Sequence, residues 1–233
     1  MTLDIIIPTY NEYDNLCRLI PYLLDHIDNS NTQIIVVDAD SSDDNSACLF
    51  EDFNIEYYKT DKTCRASQLN YGAQLSTADC LFFLHADVIP PKDFIAQIKD
   101  NLKTYDYGIF SYEFSPSTLL LGINARATRK KSILSGGGDQ GLFIKRTLFN
   151  QVGGYNESQV IMEDFELFSR LKSLSDYALV QKPVTVSSRK YEENSWLRVN
   201  LVNLVAFSLF YIGSSPRVIK DFCQRWLRSK ETC

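Results

Sequence analysis

Three short segments place oxygen-bearing side chains directly after apolar runs: Pro8-Thr9-Tyr10-Asn11-Glu12, Asp38-Ala39-Asp40-Ser41-Ser42-Asp43 and His85-Ala86-Asp87. A fourth, Glu163-Asp164, opens a stretch whose apolar residues Phe165, Phe168 and Leu171 recur at helical spacing. Carboxylates in such positions suit two kinds of chemistry. One is coordination of a hard divalent cation, which prefers oxygen and needs few protein ligands when it also holds phosphate and water. The other is removal of a proton from a hydroxyl by a positioned acid. With His26 and His85 as the only histidines, the chain has little material for a histidine-rich zinc site or a Ser-His-Asp triad. The turn after the first apolar run lacks Gly-x-Gly-x-x-Gly, and no Gly-x-x-x-x-Gly-Lys-Ser/Thr occurs, so a phosphate cradle of backbone amides is not expected. An acidic edge binds a diphosphate only through a cation between the charges. Each acid also has an ordinary structural use: Asp after a strand caps the next helix, and acids in a first helical turn are favoured by the helix dipole. His85, alone at a strand end, reads first as a hydrogen-bonded structural group.

The elements that must position these groups alternate in type. Leu3 to Ile7 is a short, mostly β-branched run and reads as a strand, after which Leu16, Leu19, Ile20, Leu23, Leu24 and Ile27 repeat at helical spacing. Gln33 to Val37 and Ile55 to Tyr58 read as strands, Arg65 to Leu75 as a helix, Cys80 to Leu84 as a buried strand, and Phe94, Ile95, Ile98 and Leu102 as the face of another helix. This alternation implies an α/β protein with a mainly parallel sheet and helices on both faces, in which ligands bind at the carboxyl ends of the strands. The acidic segments lie there. The second half is less regular: Tyr107 to Phe114 alternates like a strand, and a basic stretch through Arg126, Arg129, Lys130 and Lys131 leads into Gly136-Gly137-Gly138. Leu142 to Ile144 and Val184 to Ser187 read as strands, and Glu163 to Leu174 as a helix. The three glycines mark a loop with unusual backbone angles, followed by Asp139 and Gln140. Arg65 near a helix start and Arg189 on the last strand are guanidinium groups suited to a diphosphate, or to a surface ion pair.

A length of 233 residues is expected to hold between one and two domains, here residues 1–190 with a helical extension over 191–233. Hydrophobic residues at 45% and charged residues at 23% exclude a disordered or collagen-like chain, and a net charge of -5 argues against general nucleic-acid binding. Six cysteines without a Cys-x-x-Cys pair, and an apolar strand directly after Met1, lead us to expect a reducing cytoplasm. Trp196 to Ile212 is apolar but carries Arg198, Asn200, Asn203 and Ser208, which points to a buried helix rather than a membrane span. From Pro216 to Cys233 five basic residues stand against Asp221 and Glu231, opposite an apolar face of Val218, Ile219, Phe222, Cys223, Trp226 and Leu227. Such a helix either packs on the body or docks peripherally on an anionic cytoplasmic membrane face.

Together, Ile5-Ile6-Ile7-Pro8-Thr9-Tyr10-Asn11-Glu12, Val36-Val37-Asp38-Ala39-Asp40-Ser41-Ser42-Asp43, Phe83-Leu84-His85-Ala86-Asp87 and Met162-Glu163-Asp164-Phe165-Glu166-Leu167 resemble, in order, the motifs of the family 2 glycosyltransferases of GT-A fold. Arg65-Ala66-Ser67-Gln68-Leu69-Asn70-Tyr71-Gly72-Ala73, Gly138-Asp139-Gln140-Gly141 and Ser187-Ser188-Arg189-Lys190-Tyr191 further resemble a small bacterial subgroup labelled arsenosugar-biosynthesis glycosyltransferase. The resemblance spans residues 3 to about 190. It implies a Rossmann-like GT-A sheet with a helical C-terminal extension, a nucleotide-diphosphate sugar donor with UDP-sugar foremost, and Mg2+ or Mn2+ as cofactor. The reaction implied is inverting transfer of a hexose-type sugar to a small-molecule or lipid-linked hydroxyl.

Carried over residue by residue, the resemblance implies that Asp38 reads the nucleotide base with Thr9 and Glu12 beside it. The family commonly has adjacent acids there, whereas this chain has Asp38-Ala39-Asp40, so either acid could make that contact. Tyr10, Asn70 and Ala86 fall within the matching segments and go with the donor site; Arg65 and Arg189 are implied for the diphosphate, and Asp139 and Gln140 for orienting donor sugar or acceptor. Asp87 matches the last acid of the family's Asp-x-Asp motif and is the implied metal ligand, with His85 in place of the first acid. Asp164 is the implied general base, with Glu163 as the neighbour able to share that role. The Gln-x-x-Arg-Trp motif of the processive synthases is missing, which favours a single transfer. Two other functions stay open: a sugar-phosphate nucleotidyltransferase, although Thr9-Tyr10-Asn11-Glu12 stands where those have a Gly-rich loop, and a non-catalytic nucleotide-sugar binding protein.

Overall fold

The computed structural model describes residues 1–27, 31–40, 55–61, 64–133 and 135–228. Residues 41–44, with Asp43, Thr63 and the end of the tail from Ser229, with Lys230 and Glu231, lie outside the described residues. Strands β1 (Leu3–Thr9), β2 (Thr32–Ala39), β3 (Glu56–Thr60) and β4 (Cys80–Phe83) form a parallel block in the order β3-β2-β1-β4. Beyond β4 come β7 (Leu142–Lys145), β6 (Tyr107–Ser115), β8 (Ala178–Ser187) and the two-residue edge strand β5 (Val88–Ile89).

Strand β1 is fully buried and shows why the apolar runs are continuous rather than alternating. Leu3, Ile5 and Ile7 pack into one core with Leu16, Leu19, Ile20 and Leu23 of α1 (Tyr13–Leu24) and Phe94 and Ile98 of α3 (Phe94–Asn101). Ile6 points the other way, into a second core with Ala66, Leu69 and Ala73 of α2 (Arg65–Leu75) and Leu167, Phe168 and Leu171 of α6 (Glu163–Lys172). Successive side chains of a strand point to opposite faces, so one run serves two helical layers. The register Thr9↔Asp38, and the bond from Leu84 N to Ile6 O at 3.0 Å, bring the carboxyl ends of β1, β2 and β4 to one edge.

The expected α/β sheet with helices on both faces is present, and it is mixed in direction. Strand β7 runs antiparallel to both β4 and β6, and β5 antiparallel to β8. A strand buried on both faces reads as the same apolar run in either direction, which is why direction was not visible beforehand. Helix α4 (Leu119–Ala127) was not anticipated, because its Leu119-Leu120-Leu121 run follows Pro116 and ends in basic residues. Thr118 caps it, its hydroxyl accepting from Leu121 N at 3.3 Å. The short helices α5 (Arg146–Gln151) and α7 (Arg189–Glu193) also escaped notice, being shorter than a repeating apolar pattern needs. Arg189 thus opens α7 rather than lying on the last strand.

Two helices follow, α8 (Trp196–Tyr211) and α9 (Pro216–Trp226). No helix among the described residues is long and apolar enough to cross a membrane. The expectation that α8 is buried needs correction: Val199, Val202 and Ala206 face inward while the opposite side is open, because α8 packs over one flank of the body only. The apolar face read for the tail is likewise divided. Ile219 is buried, whereas Val218 and Trp226 are exposed. Asn194 ties the end of α9 to the body, donating to Arg228 O at 2.8 Å and accepting from Arg228 N at 2.9 Å.

Helix α2 approaches the sheet closely at Gly72, where an added Cβ would lie 2.5 Å from Ile6 Cγ2 and 3.2 Å from Val37 Cγ2. Both neighbours belong to fully buried strand positions that cannot retreat. Gly72→Ala is therefore expected to lower stability by about 1–3 kcal/mol through overpacking, despite the better helix propensity of Ala, as read from urea denaturation midpoints.

Candidate active site

At the carboxyl edge of the parallel block, Asp38 is 1% exposed at the end of β2. Thr9 donates its hydroxyl to Asp38 Oδ1 at 3.0 Å, and Tyr57 of β3 donates to Oδ2 at 2.7 Å. Gln68, buried on α2, donates to Thr9 O at 2.7 Å and Val37 O at 3.0 Å, tying both strand ends to the helix. Asp40 sits one residue beyond the strand with its side chain exposed and its backbone N–H bonded to Thr60 O at 2.8 Å. Of the two acids after β2, then, Asp38 belongs to the buried network and Asp40 to its rim.

The loop after β1 carries Tyr10, partly buried, and Glu12, which accepts from Asn15 and lies 3.7 Å from Arg189 Nη2. Arg189 thereby joins the start of α7 to the start of α1. Asn70 turns away from this edge: its amide donates to Tyr155 O at 2.9 Å and accepts from Tyr155 N at 2.8 Å, holding the turn that contains Gly154. Ala86 is buried in the first core, between His85 and the half-buried Asp87.

The second acid cluster is built on the first turn of α6. Met162 precedes it with φ +63°, a left-handed residue that swings the chain abruptly into the helix. Glu163 is buried and pairs with Arg65 Nη1 at 3.2 Å, linking the starts of α2 and α6. Asp164 is 14% exposed and lies 3.8 Å from His85 Nε2, while His85 Nδ1 lies 3.9 Å from the open Asp139. Burial, reinforced by the Glu163 charge and opposed by Arg65, lifts the Asp164 carboxyl to about 8. Burial and the Arg65 charge push the His85 imidazole down to about 3, so it is neutral over the physiological range. Its Nε2 is buried and meets no partner at hydrogen-bonding geometry, and the buried Tyr155 hydroxyl lies beside Asp164. The charge of Asp164 pushes that hydroxyl up, after burial itself.

The glycine loop crosses directly over these groups. A Cβ on Gly138 would overlap both the His85 ring and the Asp164 carboxylate, so only a bare backbone fits there. Gln140 holds the loop in place: it is buried, accepts from Gly136 N at 2.8 Å and donates to Phe110 O at 3.0 Å. Its amide is thus engaged with the protein, and it is Asp139 that faces outward.

No group of three metal-ligating side chains occurs among the described residues. Asp87 supplies one hard oxygen donor at the carboxyl edge, which fits an ion such as Mg2+ or Mn2+ that takes its other ligands from phosphate and water. Sequence reasoning named Glu12, Asp38, Asp40, Asp87, Asp139, Glu163 and Asp164 but missed Tyr57 and Tyr155. Tyr57 lay in plain view in the third strand, yet a tyrosine in a strand carries no mark of the acid it will meet.

The pattern of glycosyl transferase family 2 matches residues 4–156, more than half of the chain, and the protein belongs to that family. No curated protein matches its sequence significantly. Among solved structures it is similar to TarS of S. aureus (residues 1–349), with TM-score 0.64 and 14% identity over 95% of this chain and 69% of that one. It is also similar to the mannosyltransferase PcManGT of Pyrobaculum calidifontis, solved with GDP-Man and Mn2+, with TM-score 0.65 and 18% identity over 95% of this chain and 68% of that one. The TarS complex with UDP-GlcNAc gives TM-score 0.64 and 14% identity, over 97% and 71% of the two chains. These likenesses establish a GT-A-like fold.

The raised Asp164 pKa has a consequence for stability. The folded chain holds this proton more tightly than the unfolded chain, whose Asp titrates near ~4. Stability relative to a non-titrating residue is therefore lost as pH rises from that value towards about 8, and is level beyond it. Asp164→Asn should melt above the parent chain at pH 8 and lose that advantage towards pH 4, as measured by thermal scans across that range.

Proposed function

We propose that this protein is an inverting, non-processive glycosyltransferase that moves a hexose-type sugar from a nucleotide-diphosphate donor, UDP-sugar foremost, to a hydroxyl acceptor. Residues 1–190 act as the catalytic domain and 191–233 as its helical extension. The observation that carries the reading is the Asp164 carboxyl, buried under a side-chain-free loop at the edge where the parallel strands end, with its pKa raised towards that of a working base. Family membership supports sugar transfer, and the nucleotide sugars bound by TarS and PcManGT support the donor class.

In this reading the donor lies along the carboxyl edge. Asp38, fixed by Thr9 and Tyr57, accepts from the nucleotide base, and Tyr10, Glu12 and Asp40 border it. Mg2+ or Mn2+ held by Asp87 and the donor's diphosphate would neutralise charge on the departing nucleoside diphosphate. Arg65 and Arg189 add positive charge around the diphosphate, and Asp139 orients the sugar or acceptor from the open side of the loop. Asp164 takes the proton from the acceptor hydroxyl as its oxygen bonds to the anomeric carbon and the bond from that carbon to the diphosphate oxygen breaks. One displacement inverts the carbon. Glu163, paired with Arg65, holds the charge balance beside the base rather than receiving the proton.

Three measurements test this. Asp164→Asn should cut turnover by about 10²–10⁴-fold with donor affinity nearly unchanged, and turnover of the parent should climb with pH towards about 8 as the carboxylate forms. If Glu163→Gln is the inactive variant and Asp164→Asn is not, the base is Glu163. Asp87→Ala should weaken UDP binding and abolish its dependence on Mn2+ in calorimetry; unchanged UDP affinity of the parent in EDTA would remove the cation from the scheme.

A further inference from the structure

The exposed large apolar side chains are not scattered. Among the described residues, all but Met1, Tyr13 and Leu174 fall within 119–133 and 197–226. Isolated exposed leucines need no explanation, but a contiguous set marks an interaction surface. Leu119, Leu120 and Ile123 stand out from α4, Leu119 at 94% exposure, and Leu197, Leu201 and Leu204 form a stripe along the outer side of α8. The two helices adjoin: Asn124 of α4 donates to Asn200 of α8 at 3.2 Å and to the Tyr191 hydroxyl at 3.1 Å. Further along, the Tyr211 hydroxyl donates to Ile133 O at 3.1 Å, joining the exposed Ile133 to the end of α8. A helix apolar on all sides is normally enclosed, yet α8 buries only one of its faces.

The charges around this face indicate what covers it. Residues 119–133 carry Arg126, Arg129 and Lys130, with Lys131 paired to Asp176 at 2.6 Å, and no acid; residues 194–228 carry five basic residues against Asp221 alone, on a chain whose net charge is -5. A two-fold pairing of this face with a second copy would set these basic groups against themselves. We propose that the α4–α8 face docks on an anionic lipid surface, its leucines entering the headgroup boundary and its basic rim meeting lipid phosphates. The tail contributes rim charge but is not the anchor, because Ile219 and the Asn194–Arg228 bonds bind α9 to the body.

Docking there has a geometric consequence for the acceptor. On α8, Phe207 stacks edge-to-face on Phe165 at 4.5 Å, and Phe165 directly follows Asp164. The same helix thus touches lipid and the first turn of α6, so an acceptor hydroxyl carried on a lipid would reach the site from the docked side. That extension rests on the reading of Asp164 as base, whereas the docking does not.

Co-sedimentation of the full chain with phosphatidylglycerol–phosphatidylcholine vesicles, and with phosphatidylcholine vesicles alone, tests the docking without any turnover. Binding is expected to the anionic vesicles only, and to weaken with salt. Leu201→Glu with Leu204→Glu should abolish it with the melting temperature unchanged, and Arg126→Glu with Arg129→Glu should weaken it by more than about tenfold. Absence of binding to anionic vesicles at low salt would overturn the proposal while leaving the assigned activity intact, and so would binding that survives both pairs of substitutions. A parent chain that sediments as a dimer, ignores vesicles and becomes monomeric on Leu204→Glu would assign the face to a second copy instead.

Discussion

Two neighbouring acids, Glu163 and Asp164, are set into the first turn of one helix and largely withdrawn from water, and the site depends on how that is made tolerable. Removing one carboxylate from water is costly, and two side by side repel. The Arg65 guanidinium answers half of the problem by pairing with Glu163. Asp164 answers the other half by holding its proton more tightly, lifted by burial and by the Glu163 charge. One ion pair thus assigns different roles to adjacent, chemically similar groups, and it does so from a separate helix packed on the same face of the sheet.

Around this pair, most of the polar residues act by positioning one another. Gln68 fastens the ends of β1 and β2, Thr9 and Tyr57 orient Asp38, Asn70 holds the Tyr155 turn and Gln140 suspends the glycine loop. Amides used in this way satisfy backbone groups that would otherwise be stranded. His85 fits the same logic in negative form. Neutral and close to Asp164, it adds no third charge to a crowded pocket.

The parallel half of the sheet, and the acids at its edge, were legible because the physics there is local. An apolar run bounded by turn residues becomes a buried strand, and the next polar residues must emerge at its end. Asp38 and Asp87 followed from that rule together with the family likeness, and Asp164 from the likeness and its place in a first helical turn. What escaped depended on partners distant in sequence: Tyr57 meeting Asp38, Tyr155 beside Asp164, and Asn70 and Gln140 spent on the backbone rather than left open to solvent. Helix α4 hid because only Leu121 of its leucines turns inward while Leu119 and Leu120 are exposed, so no inward stripe betrayed it. The half-open state of α8 was equally hidden, since composition alone makes a doubly apolar helix look enclosed.

The insertion of β7 between β4 and β6 also governs how the chain is made. When the first four strands have left the ribosome, β4 carries hydrogen-bonding groups on one side with nothing to pair with, and its eventual neighbour starts only at Leu142. An open strand edge flanked by apolar cores invites pairing with another chain. Strand β6 emerges earlier but cannot close the gap, because β7 must enter between them. The nascent chain must therefore carry this sticky edge through the synthesis of α3, β6 and α4, a period in which a holding chaperone would be of most use.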